Sequence, residues 1–323
     1  MVRLWQSELA FLLAALAAVA LTPLAARLAR VLGAVDLPGE RRVHDAPTPR
    51  CGGLAIVVGC WIGVAAAALV DPGFLGRQTW GMLIGATTVG LMGLADDLRP
   101  LPATARLVIQ ALVALAIVWA FDVRVAVLTR FLGQDGPYIY LQWAAVPVTA
   151  LWIVAITNAF NWLDGLDGLC AGIAGLTSVT LVLMAGANPL LSGSAVVAAL
   201  AAAVAGASIG FLRYNLSPAQ VFMGDSGAMF LGFMLACVSA VGAFKKATLG
   251  ILIPPLVLTV PIYEIFSTMY VRWRTGQPLH ASDRRNVHHR LMARGLSKER
   301  VVYLLYAATG LCCVIALIFV GRT

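Results

Sequence analysis

Charged side chains are scarce in this sequence. They make up 12% of its 323 residues, whereas a soluble domain carries about 25%. The mean hydropathy is +0.88, and 60% of the residues are hydrophobic. This composition excludes an ordinary soluble domain and predicts a polytopic membrane protein.

Cysteine and histidine motifs for a soft metal are also missing. The six cysteines form no CxxC pair and lie in or beside apolar runs, which predicts reduced, packed thiols without a catalytic role. The net charge of +8 is divided among short loops. Such a distribution favours attraction to anionic lipid and phosphate-bearing substrates over binding of nucleic acid.

Long apolar runs fill most of the chain. A hydrocarbon core of about 30 Å requires roughly 20 helical residues, and lipid offers backbone groups no hydrogen-bond partner outside the helix. We therefore expect one all-α integral-membrane domain, residues 1–323, with about ten spans. Their approximate limits are 5–31, 52–70, 79–95, 105–121, 141–157, 168–186, 191–211, 226–243, 248–271 and 300–320.

The loops between these spans differ in charge. One side carries sixteen of the 23 lysines and arginines, and the other side carries seven. The positive-inside rule makes the first side cytoplasmic and places both termini outside. Residues 122–140 alternate weakly between apolar and polar, which predicts a short hairpin outside the membrane.

An acidic pair ends the third predicted span in "GLADDLRPL". Asp96 and Asp97 repel each other, and they oppose the dipole at a helix C-terminus. The pair could be a solvated helix end, but this is a poor structural choice. We interpret it as functional, needing a cation, a nearby arginine or a shared proton.

Four polar residues follow at intervals of three in "NAFNWLDGLDGLCAG". Asn158, Asn161, Asp164 and Asp167 would wrap over half of a helix circumference, so no single stripe can hold them. We expect them where the fifth span breaks into a loop. There they offer oxygen ligands and hydrogen bonds to a sugar or phosphate, although Asp167 could also cap the sixth span.

A third acidic motif, "VFMGDSGAMFLG", places Asp225 between glycines just before a new span. Backbone N–H groups and a carboxylate exposed together suit a metal–phosphate group. A simple helix cap with a glycine turn is the alternative.

Basic residues and histidines share two other predicted cytoplasmic loops. His288, His289 and Arg290 lie in "DRRNVHHRL", and this mixture suits a phosphate-rich ligand better than a metal. Arg42 and His44, in "ERRVHDAPTPRCGG", could supply cations to a diphosphate. Glu264 lies inside the ninth predicted span, where a carboxylate is costly and faces the protein interior; we expect a structural role for it.

Together these motifs, in this order, resemble the polyprenyl-phosphate N-acetylhexosamine-1-phosphate transferases of glycosyltransferase family 4. The likeness covers roughly residues 35 to 300 and is closest to the bacterial undecaprenyl- and decaprenyl-phosphate GlcNAc-1-phosphate type. Members of that branch begin O-antigen, common antigen, teichoic acid or arabinogalactan-linker synthesis at the inner membrane. Two positions depart from the family pattern: Asn286 stands where a histidine is common, and Glu264 where an aspartate is common.

The resemblance implies a reaction and a set of roles. A UDP-N-acetylhexosamine and polyprenyl phosphate would give polyprenyl-diphospho-sugar and UMP, with Mg²⁺ or with Mn²⁺ in its place, and a homodimer is the family expectation. Asp225 and Asp97 are then expected to ligate the metal. The catalytic carboxylates are expected to be Asp96, Asp97, Asp164 and Asp167. The substrate-binding residues are expected to be Arg42, His44, Asn158, Asn161, Asp164, His288, His289 and Arg290.

Two other functions fit part of the pattern. The phospho-N-acetylmuramoyl-pentapeptide transferase of peptidoglycan synthesis shares the superfamily, but its histidine loop usually reads differently. A cation-coupled transporter would place its ionisable residues near mid-membrane, whereas Glu264 is the lone mid-span acid predicted here.

Overall fold

The computed structural model describes residues 4–36, 47–125, 127–128, 139–187, 194–241, 253–276 and 286–321. Within these residues the chain forms twelve α-helices. They are α1 (Leu4–Leu32), α2 (Gly52–Val70), α3 (Arg77–Leu98), α4 (Ala103–Phe121), α5 (Ala145–Leu163), α6 (Leu169–Ala187), α7 (Ser194–Asn215), α8 (Gly224–Val241), α9 (Ile253–Val257), α10 (Thr259–Arg274), α11 (Val287–Met292) and α12 (Lys298–Gly321).

Two short antiparallel strand pairs accompany the helices. The pair β1 (Val35–Asp36) and β2 (Thr48–Pro49) follows α1. The pair β3 (Val127–Leu128) and β4 (Ile139–Tyr140) confirms the predicted hairpin between α4 and α5. Arg42 and His44 lie outside the described residues.

The predicted all-α, multi-pass membrane fold is confirmed. Among the described residues, eight helices are long and apolar enough to cross a membrane. Two further helices, α3 and α10, occupy the predicted third and ninth spans, and α10 has only 16 residues. The total of ten spans and the outside location of the termini stay predictions.

Helix α8 lies at the centre of the bundle. All of its residues except Asp225 are buried, and α3 and α5 pack along it. The helices α1, α2 and α7 form a second layer, in which α1 contacts both of the others extensively. The acidic motifs therefore lie at the ends of helices that share one buried partner.

Small residues let α1 and α7 approach closely. A Cβ atom at Gly210 of α7 would overlap the backbone carbonyl oxygen of Ala15 in α1. A Cβ atom at Gly206 of α7 would overlap the backbone carbonyl oxygen of Phe11. Helices in lipid associate through such backbone contacts because apolar side chains gain little by leaving lipid for protein.

Replacing Gly206 with alanine is expected to lower the thermal stability of the purified protein. The added methyl group meets backbone atoms, which cannot rotate away, and overpacking of this kind costs about 1–3 kcal/mol. Gly310→Ala is the matched control, because no described atom lies within 4 Å of a Cβ at that position of α12. Equal melting temperatures for the two variants in detergent would contradict the close α1–α7 contact.

Candidate functional site

The end of α3 meets the beginning of α8 through one carboxylate. Asp97 Oδ1 accepts the backbone N–H of Asp225 at 3.0 Å, and its Oδ2 accepts the N–H of Ser226 at 3.1 Å. The Asp97 side chain is fully buried. The acidic pair opposes the dipole of its own helix, but Asp97 lies at the N-terminus of α8, where a negative charge is stabilising.

Glycines make this junction possible. A Cβ at Gly93 of α3 would contact the backbone carbonyl of Asp225. Gly224 has a φ of +72°, and a Cβ there would contact the Asp97 carboxylate. The glycines on both sides of the junction therefore allow Asp97 to reach the backbone of α8.

Two arginines balance the acidic residues. Arg106, in the first turn of α4, lies 2.6 Å from Asp96 Oδ2 and 3.1 Å from Asp225 Oδ2. Arg50, which precedes α2, lies 3.5 Å from Asp97 Oδ1. The side chains of Asp96 and Asp225 are also hydrogen-bonded to each other. Neighbouring carboxylates need such a cation or a shared proton, and here Arg106 bridges them.

The end of α5 joins the acidic cluster, which consists of Asp96, Asp97 and Asp225. The Asn161 amide is hydrogen-bonded to the Asp225 carboxylate, and the backbone N–H of Gly224 donates to Asp164. Burial and the nearby charge of Asp97 raise the pKa of Asp164 to about 7. Two of the four polar residues in the α5 motif thus contact the beginning of α8.

The other two residues of that motif lie elsewhere. Asp167 Oδ2 accepts the backbone N–H of Ala219 at 3.0 Å, which connects the loop after α5 to the loop before α8. Asn158 lies one turn deeper in α5, where it donates to Gln110 Oε1 at 2.6 Å and to the carbonyl oxygen of Val154 at 2.8 Å. Asn158 therefore joins α4 to α5 inside the bundle.

The loop at residues 164–168 is held from two further sides. Asn215 Oδ1 accepts the N–H of Gly168 at 3.1 Å, and its Nδ2 donates to the carbonyl oxygen of Val221 at 3.0 Å. Tyr306 of α12 donates its hydroxyl hydrogen to the Gly168 carbonyl oxygen at 2.6 Å. These contacts fix the loop that carries Asp164 and Asp167.

The predicted histidines lie on α11 beside the same loop. His288 is fully buried, and a Cβ at Gly165 would contact its Nε2 atom. Neither ring nitrogen of His288 has a hydrogen-bond partner within the described chain. Burial lowers the pKa of His288 to about 3, so the ring is neutral. The ring of His289 lies 4.4 Å from it, centroid to centroid.

A cavity of about 410 Å³ opens beside the acidic cluster. Four of the predicted site residues line it: Asp164, Asp167, Asp225 and His289. The lining also includes residues that the motifs did not single out. These are Asp36, Arg50, Gly165, Leu166, Asn215, Leu216, Ser217, Phe222, Gly224, Lys298, Glu299, Val302, Tyr303 and Tyr306.

The acidic cluster offers oxygen donors for a hard metal ion. In the described part of the chain, no three His, Cys, Asp or Glu side chains form a ready-made metal cage. Mg²⁺ seldom needs one, since it usually binds one or two carboxylates together with waters and substrate phosphates. The Asp225 side chain is 22% exposed and lines the cavity, which fits that arrangement.

Comparison with known proteins identifies the family. Residues 79–243 match the model of glycosyl transferase family 4. A probable undecaprenyl-phosphate N-acetylglucosaminyl 1-phosphate transferase of Bacillus subtilis is 36% identical over 305 residues, which are 94% of this chain and 82% of that protein. The chain belongs to glycosyl transferase family 4.

Other relatives of this family 4 protein are similar over most of its length. A decaprenyl-phosphate N-acetylglucosaminephosphotransferase of Mycobacterium tuberculosis is 33% identical over 310 residues, 88% of this chain and 75% of the relative. A phospho-N-acetylmuramoyl-pentapeptide-transferase of Caldicellulosiruptor bescii is 28% identical over 249 residues, 73% of each chain. The family 4 match contains the whole acidic cluster and ends before α11.

In the family 4 protein, Asp97→Ala is expected to speed amide hydrogen exchange at the beginning of α8. Two buried N–H groups lose their acceptor, at a cost of about 1–3 kcal/mol, so exchange at Asp225 and Ser226 should rise about tenfold or more. Mass spectrometry of peptides from this region measures the rate. The control is Asp71→Ala, which removes the side-chain acceptor of the Gly73 N–H and should leave exchange in α8 unchanged. Equal exchange at the beginning of α8 in the two variants would contradict the contact between Asp97 and α8.

Proposed function

We propose that the protein transfers N-acetylglucosamine 1-phosphate from UDP-N-acetylglucosamine to polyprenyl phosphate, releasing UMP. The position of Asp225 carries the proposal. This carboxylate contacts Asp96, Arg106 and Asn161 and also lines the cavity. Family membership and the activities for which the Bacillus and Mycobacterium relatives are named support the same reaction.

The cavity suits the nucleotide-sugar donor. Its volume falls within the range of about 300–1,000 Å³ that is common for small-molecule sites. Arg50 and Lys298 supply positive charge for a diphosphate, and His289 also lines the cavity. We assign the donor diphosphate to the part of the cavity between these residues and Asp225.

The acceptor reaches the same point from the membrane. An oxygen of the lipid phosphate bonds to the phosphorus that carries the sugar, and the bond from that phosphorus to the bridging oxygen breaks. UMP leaves with the bridging oxygen, and the lipid keeps a diphosphate. Since phosphoryl transfer depends on positioning and charge stabilisation, the residues around Asp225 orient the groups and balance their charge.

Mg²⁺ fits this reaction, because bound to Asp225 and phosphate oxygens it would neutralise charge on the transferring group. Asp97 was expected to be a second ligand. Both of its oxygens accept N–H groups of α8, so we assign it the orientation of Asp225 instead. The pKa of Asp164 is raised to about 7, so this carboxyl group is suited to exchanging a proton with the lipid phosphate.

The proposal also places the protein in its cell. We infer a bacterial inner membrane, with the cavity on the cytoplasmic side where UDP-sugars are available and where the basic loops are predicted. The resulting lipid-linked sugar begins a cell-envelope glycan. Dimerisation, implied by the family resemblance, stays a prediction.

Asp225→Asn is expected to reduce UMP release by at least about 10²-fold, the usual effect of removing a key charge-stabilising group. The assay uses protein purified in detergent with UDP-N-acetylglucosamine, polyprenyl phosphate and Mg²⁺. Release should require the lipid and the metal, and Asp71→Asn should behave as the wild type. Release of UMP only from a UDP-N-acetylmuramoyl-pentapeptide donor would favour the phospho-N-acetylmuramoyl-pentapeptide transferase activity. Release of UMP that does not require the lipid would contradict both transferase activities.

Arg50→Ala is expected to raise the KM for UDP-N-acetylglucosamine about tenfold or more. The substitution removes a charge-assisted hydrogen bond to phosphate, worth about 1.5–3 kcal/mol. The control is Arg213→Ala, since Arg213 is an exposed arginine that stacks near Tyr214 and does not line the cavity. An unchanged KM in the Arg50 variant would remove Arg50 from the donor site.

A further inference from the structure

A second buried carboxylate lies on α10, apart from the acidic cluster. Glu264 has no solvent exposure. Its Oε1 and Oε2 atoms lie 3.2 and 3.1 Å from the backbone nitrogen of Val287, which donates to them. The hydroxyl of Thr268, one turn further along α10, donates to Oε1 at 3.2 Å. The carboxylate is thus held by its own helix while it binds the backbone of another segment.

That backbone segment is the beginning of α11. Val287 is the first residue of α11, and the side chain of the preceding Asn286 makes no capping hydrogen bond to the described helix. The first N–H groups of a helix lack partners within the helix and need an acceptor. Glu264 supplies this acceptor from α10, in place of a local cap.

Helix α11 is held at other points as well. Asn286 Nδ2 donates to the carbonyl oxygen of Trp162 at 3.0 Å, at the end of α5. Arg290 donates to Ser267 Oγ of α10 at 2.8 Å. Glu264 and Ser267 therefore bind the two ends of the short segment 287–290, and the residues between these contacts are His288 and His289.

The placement of these two histidines depends on the orientation of α11. His288 is buried against Gly165, whose backbone leaves no space for a side chain. His289 lines the cavity. A rotation or shift of α11 would move both rings relative to the loop that carries Asp164.

We propose that Glu264 is a positioning residue, which fixes the start of α11 and thereby presents His289 to the cavity with His288 packed against Gly165. A carboxylate suits this role because its two oxygens accept from Val287 and Thr268 together. The charges of Arg290 and Arg272 lie near enough to stabilise it. The effect on catalysis rests on the proposed function, whereas the effect on the histidines does not.

Two variants remove the contact from opposite sides. Glu264→Met deletes the acceptor and keeps the length of the side chain. Val287→Pro deletes the donor, and proline is well accepted at the first position of a helix. The preceding Asn286 has φ −57° and ψ 153°, a conformation that is favoured before proline. Glu264→Gln, which keeps an acceptor oxygen at the same distance, is the conservative variant.

The measurement is the rate at which diethyl pyrocarbonate modifies His288, read by peptide mass spectrometry. In the wild type, burial should protect His288 relative to His289. Both Glu264→Met and Val287→Pro should raise the rate at His288 about tenfold or more, as expected when a buried hydrogen bond that fixes the segment is lost. Glu264→Gln should stay close to the wild type.

The same variants are then assayed for kcat/KM with UDP-N-acetylglucosamine. We expect a fall of about tenfold or more for Glu264→Met and Val287→Pro, largely restored in Glu264→Gln. Ser178→Ala, which changes a buried hydroxyl on α6 that has no partner among the described residues, is the control for altering a buried polar group.

Protection of His288 that is unchanged in both variants would overturn the proposal, even if activity were lost. Exposure of His288 with unchanged kcat/KM would also overturn it. If Glu264→Met cannot be purified in a folded form, Val287→Pro decides alone. If the wild type releases no UMP from any UDP-sugar, the proposed function fails, and His288 modification still decides whether Glu264 positions α11.

Discussion

The hydrogen bonds from the start of α8 to Asp97 are the interaction on which the candidate site depends. They join the end of α3 to the most deeply buried helix of the bundle, and they use backbone donors that would otherwise lack partners. Once this junction is made, Asp225 is directed toward Asp96 and Arg106 on one side and toward the cavity on the other. The geometry of Asp225 is therefore a consequence of helix packing rather than of its own loop.

A buried carboxylate accepts hydrogen bonds from the start of a neighbouring helix at two places around the cavity. Asp97 accepts N–H groups at the start of α8, and Glu264 accepts the N–H at the start of α11. In both cases a buried carboxylate on one helix fixes the first turn of another, and the functional side chains follow directly in that turn. Rigid placement of this kind is what a reaction governed by positioning and charge requires. At both junctions the functional side chain lines the cavity, Asp225 at one and His289 at the other, whereas the accepting carboxylate does not.

The sequence predicted the membrane fold and the acidic motifs because long apolar runs make any polar residue conspicuous. It could not predict which polar residues face the cavity. Asn158 and Asn161 look alike in the motif, yet Asn158 is bonded to Gln110 inside the bundle and Asn161 to Asp225. The three-residue spacing shows that these residues diverge around the helix, but the helix contacted by each one depends on tertiary packing.

The roles of the arginines were hidden for a different reason. Arg50 and Arg106 belong to the basic residues of the predicted cytoplasmic side, and the positive-inside rule accounts for such residues without any ion pair. Arg106 lies in the first turn of a helix and Arg50 just before one, and both lie on the same predicted side of the membrane as the acidic motifs. This shared location is the signal that could have suggested ion pairs. In sequence, Arg50 is 47 residues from Asp97, and Arg106 is 119 residues from Asp225. Such distant pairing depends on the arrangement of α2, α3, α4 and α8.

The proposed reaction requires that Asp225 bind a divalent cation. Electron paramagnetic resonance of Mn²⁺ added to the purified protein with UMP measures this most directly. We predict one bound Mn²⁺ per chain, displaced by Mg²⁺, and at least about tenfold weaker binding in Asp225→Asn. Equal binding by the wild type and the variant, or no bound Mn²⁺ in either, would contradict the assignment of the acidic cluster as the phosphoryl-transfer centre.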